Sequence, residues 1–235
     1  MKKMTALALF AAAMAAALPA LALDARCETE PNRPMCQVEP PPPPTTIPEP
    51  PATPLDAVSV VGCSNTHHAV TGYLEESSVD LLVNTAYAGH TMTVWATDPL
   101  AWEDHYLPQR PANGFDGAWL NLCERASSGL TLENVEAVIS KIWEIDPEIP
   151  IWVSPHNFYA NEDCEVTNGN QISDEGAAIA EIVVESYINV FRGPDLGPLT
   201  ADMLRRDSCH QNDSGVAFNG SQLVDFFDAS TLVVG

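Results

Sequence analysis

Basic residues are scarce in this chain of 235 residues: ten Lys and Arg stand against 32 Asp and Glu, giving a formal net charge of −22 at pH 7. Such a polyanion is repelled by phosphate backbones, so nucleic acid is excluded as a partner, and the acidity reads as a solvated surface that maintains solubility. No Cys-x-x-Cys pair occurs among the six cysteines, so the usual spacing of a zinc site is missing. No internal repeat is visible. After one short apolar run, Ala6 to Leu18, no comparable stretch follows, which argues against an integral membrane segment.

What is present divides the chain into three parts. Lys2 and Lys3, the apolar run, and the small-x-small site Ala20-Leu21-Ala22 predict an export signal over residues 1–22, with no Cys directly behind it to carry a lipid. Residues 23–54 are dominated by proline, unbroken from Pro40 to Pro44, and read as an extended, semi-rigid linker that also holds Cys27 and Cys36. Residues 55–235, about 180 residues, suit one compact domain. The expected location is secreted or periplasmic, and six cysteines in an exported chain favour disulfides. Six cysteines allow 15 pairings; Cys27–Cys36, Cys63–Cys123 and Cys164–Cys209 are the expected set. Cys63 and Cys123 each follow a predicted strand, and neighbouring strands about 4.8 Å apart lie within reach of a disulfide.

Short apolar runs at Ala57–Gly62, Leu81–Val83, Ala118–Leu122 and Ile149–Val153 are rich in Val, Ile, Leu or Trp, as strands buried on both faces are. Between the last two, Leu132, Val135, Val138, Ile139 and Ile142 recur at helical spacing, with Thr131 as a start and Pro147 as a stop. Gly176–Phe191 predicts another helix, and Gln222–Phe227 belongs to a last one whose start includes Asp213. Alternating strands and helices predict an α/β fold: a three-layer α/β/α sandwich on a mainly parallel five-stranded sheet, flavodoxin-like in architecture. In such folds ligands bind beyond the carboxyl ends of the strands.

Ser64 stands at one of those ends, in the small polar turn after Ala57–Gly62. Far downstream, Asp207-Ser208-Cys209-His210 supplies a carboxylate and an imidazole three positions apart. Serine becomes nucleophilic at neutral pH only when a base removes its proton and a third group orients that base, so the three residue types carry meaning as a set. Ser64, His210 and Asp207 are therefore the candidate catalytic triad. His67 and His68 follow the turn, but adjacent helical residues point in different directions and do not share a metal. Trp95, Trp102, Tyr106 and Trp119 could form a sugar-stacking wall, although core packing is the commoner use of such side chains.

On these residues the chain resembles the SGNH (GDSL-type) hydrolase family over nearly all of 57–228. Gly62-Cys63-Ser64-Asn65-Thr66 is similar to the first family block, Gly-Asp-Ser, with Cys63 where Asp is usual. Asp207-Ser208-Cys209-His210 is similar to the last block, Asp-x-x-His, and Gly193-Pro194-Asp195-Leu196-Gly197-Pro198-Leu199-Thr200 to its approach. Gly89, in Ala86-Tyr87-Ala88-Gly89-His90, is similar to the glycine that donates a backbone N–H. The third block departs most: the family carries Gly-x-Asn-Asp, and here Leu122-Cys123-Glu124-Arg125-Ala126 puts Arg125 in the register of the asparagine.

The resemblance implies a serine esterase acting through an acyl-enzyme on a small acyl ester or an acetylated carbohydrate, without cofactor or metal and as a monomer. Its oxyanion hole would comprise the N–H groups of Ser64 and Gly89 with Arg125 as a donor. His156 and Asn157 are expected in the pocket, Asn157 as a second candidate donor. The altered third block also suits a non-catalytic carbohydrate-binding or surface-interaction protein that has kept the fold.

Overall fold

A computed structural model describes residues 55–161 and 164–231. All of them lie in the second of two units, Pro44–Gly235. The export signal, the linker and the Cys27–Cys36 pairing fall outside the described residues.

Five strands form one sheet in the order β2-β1-β3-β4-β5, and every pairing is parallel. They are β1 (Val58–Val61), β2 (Leu82–Val83), β3 (Gly117–Leu122), β4 (Ile151–Pro155) and β5 (Val190–Arg192). The helices are α1 (Ser64–Glu76), α2 (Met92–Thr97), α3 (Leu132–Ile145), α4 (Gln171–Ser186) and α5 (Asp213–Thr231). Because side chains alternate across a strand, β3 sends Ala118, Leu120 and Leu122 to one face and Trp119 to the other. The first three join Val138, Ile139, Ile142 and Val183 of α3 and α4. Trp119 joins Val70 and Tyr73 of α1 and Leu223 and Phe227 of α5. Helices thus cover both faces, giving the expected three-layer sandwich.

Local chemistry explains most boundaries. The Thr131 hydroxyl accepts the N–H of Asn134 at 3.2 Å and starts α3. Asn212 starts α5, its Oδ1 accepting from Ser214 and Gly215 at 2.9 and 3.2 Å. The apolar periodicity of Gly176–Phe191 overran its helix: α4 stops at Ser186, and Val190 and Phe191 belong to β5. β-Branched and aromatic residues against β4 complete the sheet, and tertiary pairing overrides local spacing.

Two further features matter below. After α2 the chain makes one α-turn, Pro99–Ala101, and then a π-helical turn, Trp102–Tyr106. This turn sends Trp102 and Tyr106 inward, where the Trp102 indole donates to the Trp95 carbonyl at 2.7 Å and the Tyr106 hydroxyl bonds Ser59 Oγ at 3.0 Å. Trp95, Trp102, Tyr106 and Trp119 are all at most 4% exposed, so they are core and not a sugar-stacking wall. Second, α1 and α5 touch backbone to backbone: a Cβ at Gly72 would strike the Val216 carbonyl, and one at Gly220 would strike Gly72.

Candidate active site

β1 runs through Gly62 and Cys63 into α1, which begins with Ser64. Gly62 is required because a Cβ there would collide with Thr66 Oγ1. That hydroxyl accepts the Cys63 N–H at 3.1 Å and donates to Asn121 Oδ1 of β3 at 2.8 Å, so the turn is tied to the sheet. Cys63 is also bonded to Cys123, just past the end of the neighbouring strand, with Cα atoms 5.9 Å apart. The residue before Ser64 is therefore held covalently as well as by hydrogen bonds.

His210 comes from the turn between Leu204 and Gln211, which pair across it. Asp207 Oδ1 accepts the N–H groups of Cys209 and His210 at 3.1 and 3.0 Å, folding the turn so that the imidazole lies beside the carboxylate. The Cys164–Cys209 disulfide anchors the same turn from the other side. His210 Nδ1 donates to Asp207 Oδ2 at 2.7 Å, which leaves Nε2 to accept the Ser64 hydroxyl at 3.0 Å. Burial pushes the Asp207 carboxyl up, but the His210 N–H and imidazole and the Cys209 N–H outweigh it and hold it at about 2. Residues 146 positions apart are thus joined in one hydrogen-bonded line from hydroxyl to carboxylate.

A buried polar network lies behind that line. The Asn65 amide donates to the Tyr159 hydroxyl at 3.0 Å and to the Cys209 carbonyl at 3.2 Å, and its Nδ2 lies 3.4 Å from His156 Nε2. The Tyr159 hydroxyl is 3.1 Å from the Cys209 carbonyl and 3.2 Å from His156 Nε2. Gln211 Nε2 donates to the Asn65 carbonyl at 3.4 Å. Burial, then the nearby His210, lowers His156 to about 4, so it is neutral. His68, whose ring centroid lies 6.2 Å from that of His210, is lowered to about 4 by burial and then by Arg205.

These groups surround a cavity of about 570 Å³ whose lining includes Ser64, Gly89, Arg125, His156, Tyr159 and His210. Both disulfides, Cys63–Cys123 and Cys164–Cys209, lie in its wall. Gly89 has φ +83°, a conformation that favours glycine, with open space where a Cβ would be. No acceptor among the described residues takes the N–H of Ser64 or of Gly89. Arg125 is exposed, and its guanidinium has no hydrogen bond or ion pair among the described residues. The neighbouring Glu124 is buried, its carboxylate accepting the N–H groups of Thr93 and Arg125, both at 2.9 Å. Asn157 is fully buried and does not line the cavity, and its amide has no hydrogen-bond partner among the described residues.

His67 and His68 do not converge: His67 Nδ1 meets the Ala86 carbonyl at 3.1 Å and His68 faces Arg205. Ligand atoms of Cys63, Cys123 and His156 lie within 4.8 Å of one another, but the two sulfurs are bonded to each other and offer no thiolate. Sequence reasoning missed Asn65 and Tyr159. Their signal in the sequence was position, one residue after Ser64 and three after His156.

No protein-family model matches the sequence, and neither does any curated protein. Solved structures do. A single-site variant of Axe2, an acetyl-xylooligosaccharide esterase from Geobacillus stearothermophilus, aligns with a TM-score of 0.50 at 16% identity, over 72% of this chain and 93% of that one. The psychrotrophic esterase EstA from Pseudoalteromonas sp., inhibited by monoethylphosphonate, aligns at 0.44 and 12% identity over 74% and 97% of the two chains. A protein assigned to the G-D-S-L lipolytic family from Desulfitobacterium hafniense aligns at 0.48 and 16% identity over 71% and 97%. The chain has the SGNH-hydrolase fold.

Proposed function

We propose that the protein is a secreted serine esterase that cleaves small acyl esters, with acetyl groups on carbohydrate as the preferred class. The observation that carries this reading is the line Ser64 Oγ to His210 Nε2 at 3.0 Å and His210 Nδ1 to Asp207 Oδ2 at 2.7 Å, opening on a cavity. His210 takes the proton of Ser64 as Oγ bonds to the ester carbonyl carbon, and Asp207, ionised, stabilises the imidazolium. The carbonyl oxygen becomes an oxyanion and accepts hydrogen bonds from the N–H groups of Ser64 and Gly89, with the Arg125 guanidinium as further donor and compensating charge. Collapse breaks the bond to the alkoxide, which leaves with the proton from His210. Water then attacks the acyl-Ser64, giving its proton to His210, and the acid departs as Ser64 is reprotonated.

The start of α1 adds its positive dipole end where the oxyanion forms. Two disulfides support export to an oxidising compartment. No described helix is long and apolar enough to cross a membrane. The acetylated-carbohydrate preference draws on the likeness in fold to Axe2, an acetyl-xylooligosaccharide esterase.

Purified protein and its Ser64→Ala variant assayed on p-nitrophenyl acetate test the reading. Hydrolysis by the native chain that falls to the buffer level in Ser64→Ala, together with fluorophosphonate labelling of Ser64, is the expected result. Equal turnover by the two proteins removes the claim.

A further inference from the structure

The loop that brings Gly89 to the cavity also displays Tyr87. The Tyr87 N–H reaches the Gly62 carbonyl at 3.4 Å, so the loop is tied just upstream of Ser64, and Ala88 and Gly89 line the cavity wall. Tyr87 itself is 47% exposed, unlike Trp95, Trp102 and Trp119, which are buried. One face of its ring is covered by His105, stacked with centroids 3.8 Å apart and planes within 17°. His90 abuts it edge-on at 5.1 Å, and His90 and His105 meet each other at 4.7 Å.

His105 reaches this position because of the π-helical turn. With Trp102 and Tyr106 both committed to the core, the residue before Tyr106 is left facing outward, against the loop. π-Turns are rare and concentrate at functional sites. Here the turn supplies a backing plate for an exposed aromatic ring.

We propose that the outward face of Tyr87 is the platform on which a pyranose ring of the acylated carbohydrate lies, placing a neighbouring ester at Ser64. This rests on the esterase reading for its catalytic sense, but the binding claim stands on the loop alone. The match is chemical. An aromatic face carries negative quadrupole density and is apolar, and a pyranose presents polarised C–H groups on its face with hydroxyls around the rim. Tyr87 offers one flat, exposed ring face, backed by His105 and met at its edge by the His90 imidazole. A long acyl chain would instead need a continuous apolar groove. The backing by His105 fixes the plane in advance, so little ordering entropy is lost on binding.

The test uses the Ser64→Ala protein, which holds an acetylated xylo-oligosaccharide without consuming it, titrated by calorimetry. Adding Tyr87→Ala is expected to weaken binding about three- to tenfold, the range typical of one aromatic contact. Adding Tyr87→Phe should preserve affinity within about twofold, since the face and not the hydroxyl is used. His105→Ala should weaken binding as well, by freeing the ring. Unchanged affinity in Tyr87→Ala, equal loss in the Phe and Ala variants, or no binding by the Ser64→Ala protein overturns the platform. Turnover of p-nitrophenyl acetate by the native chain separates the two readings. Without turnover but with the affinity shift, only the esterase reading falls; with turnover and no shift, only the platform does.

Discussion

The side-chain amide of Asn65 donates to the backbone carbonyl of Cys209 at 3.2 Å. Each of these residues adjoins a member of the Ser64–His210–Asp207 hydrogen-bonded line, Asn65 following Ser64 and Cys209 preceding His210. Gln211, on the other side of His210, donates to the Asn65 carbonyl at 3.4 Å. One residue therefore clamps both neighbours of the imidazole to the helix that begins with Ser64.

Asn65→Ala is expected to lower kcat on p-nitrophenyl acetate about tenfold or more, because small displacements of a positioned base are costly. It should also lower stability by about 1–3 kcal/mol, because two buried hydrogen bonds, to the Tyr159 hydroxyl and to the Cys209 carbonyl, are lost. Steady-state kinetics with denaturant titration checks both. Intact kcat with lowered stability would make the clamp a packing device only.

The Cys164–Cys209 disulfide spans 45 residues and ends one position before His210. Replacing both cysteines with Ser should cost about 2–4 kcal/mol of stability. Activity should fall in conditions where circular dichroism still reports a folded chain. If turnover is lost only together with the fold, the bridge does not serve the base.

Arg125 is exposed and makes no internal ion pair or hydrogen bond among the described residues, so its removal should leave folding alone. Arg125→Ala is expected to reduce kcat by about 10- to 100-fold if the guanidinium meets the oxyanion, less than the loss of a fully buried donor. The thermal midpoint should stay within about 1 °C, as for surface substitutions generally. Unchanged kinetics would dismiss the oxyanion role.

Acid should destabilise the protein in two stages. His156 sits at about 4 in the folded chain, through burial first, against an ordinary value near 6.5. Between those values the unfolded chain takes up a proton that the folded one refuses, so stability is intact above about pH 6.5 and this contribution is gone by about pH 4. The fully buried His156 accounts for on the order of 3 kcal/mol of that loss. The half-buried His68, also at about 4, adds to the same window. Asp207, held at about 2, adds a later loss as pH falls from about 4 through 2. Urea unfolding at pH 7 and 4.5 should show a smaller difference for His156→Gln than for the native chain. An identical difference would assign the acid sensitivity elsewhere.

Legibility in the sequence followed the range of the forces involved. The juxtaposition of Ser64, His210 and Asp207 could be read because Ser64 and His210 each sit beside a local signal, a strand end for one and the Asp207 spacing for the other. The Cys63–Cys123 and Cys164–Cys209 bridges were readable once strand ends were placed. β5 was read as helix because Ile179, Val183 and Val190 keep an apolar rhythm that only pairing with β4 contradicts. The Asn65–Tyr159 network and the Tyr87–His105 stack join residues 94 and 18 positions apart through side chains alone. No backbone periodicity announces such contacts. Asn157, expected in the pocket, is instead enclosed, since a loop residue's facing is decided by what packs over it.

The close approach of Gly72 and Gly220 fixes the spacing of α1 and α5. Ser64 heads the first of these helices, and His210 lies three residues ahead of the second. One methyl group at either glycine would pry the pair apart like a wedge in a hinge. The injury would be felt roughly 12 Å away, eight residues up the helix, where hydroxyl and imidazole have to meet.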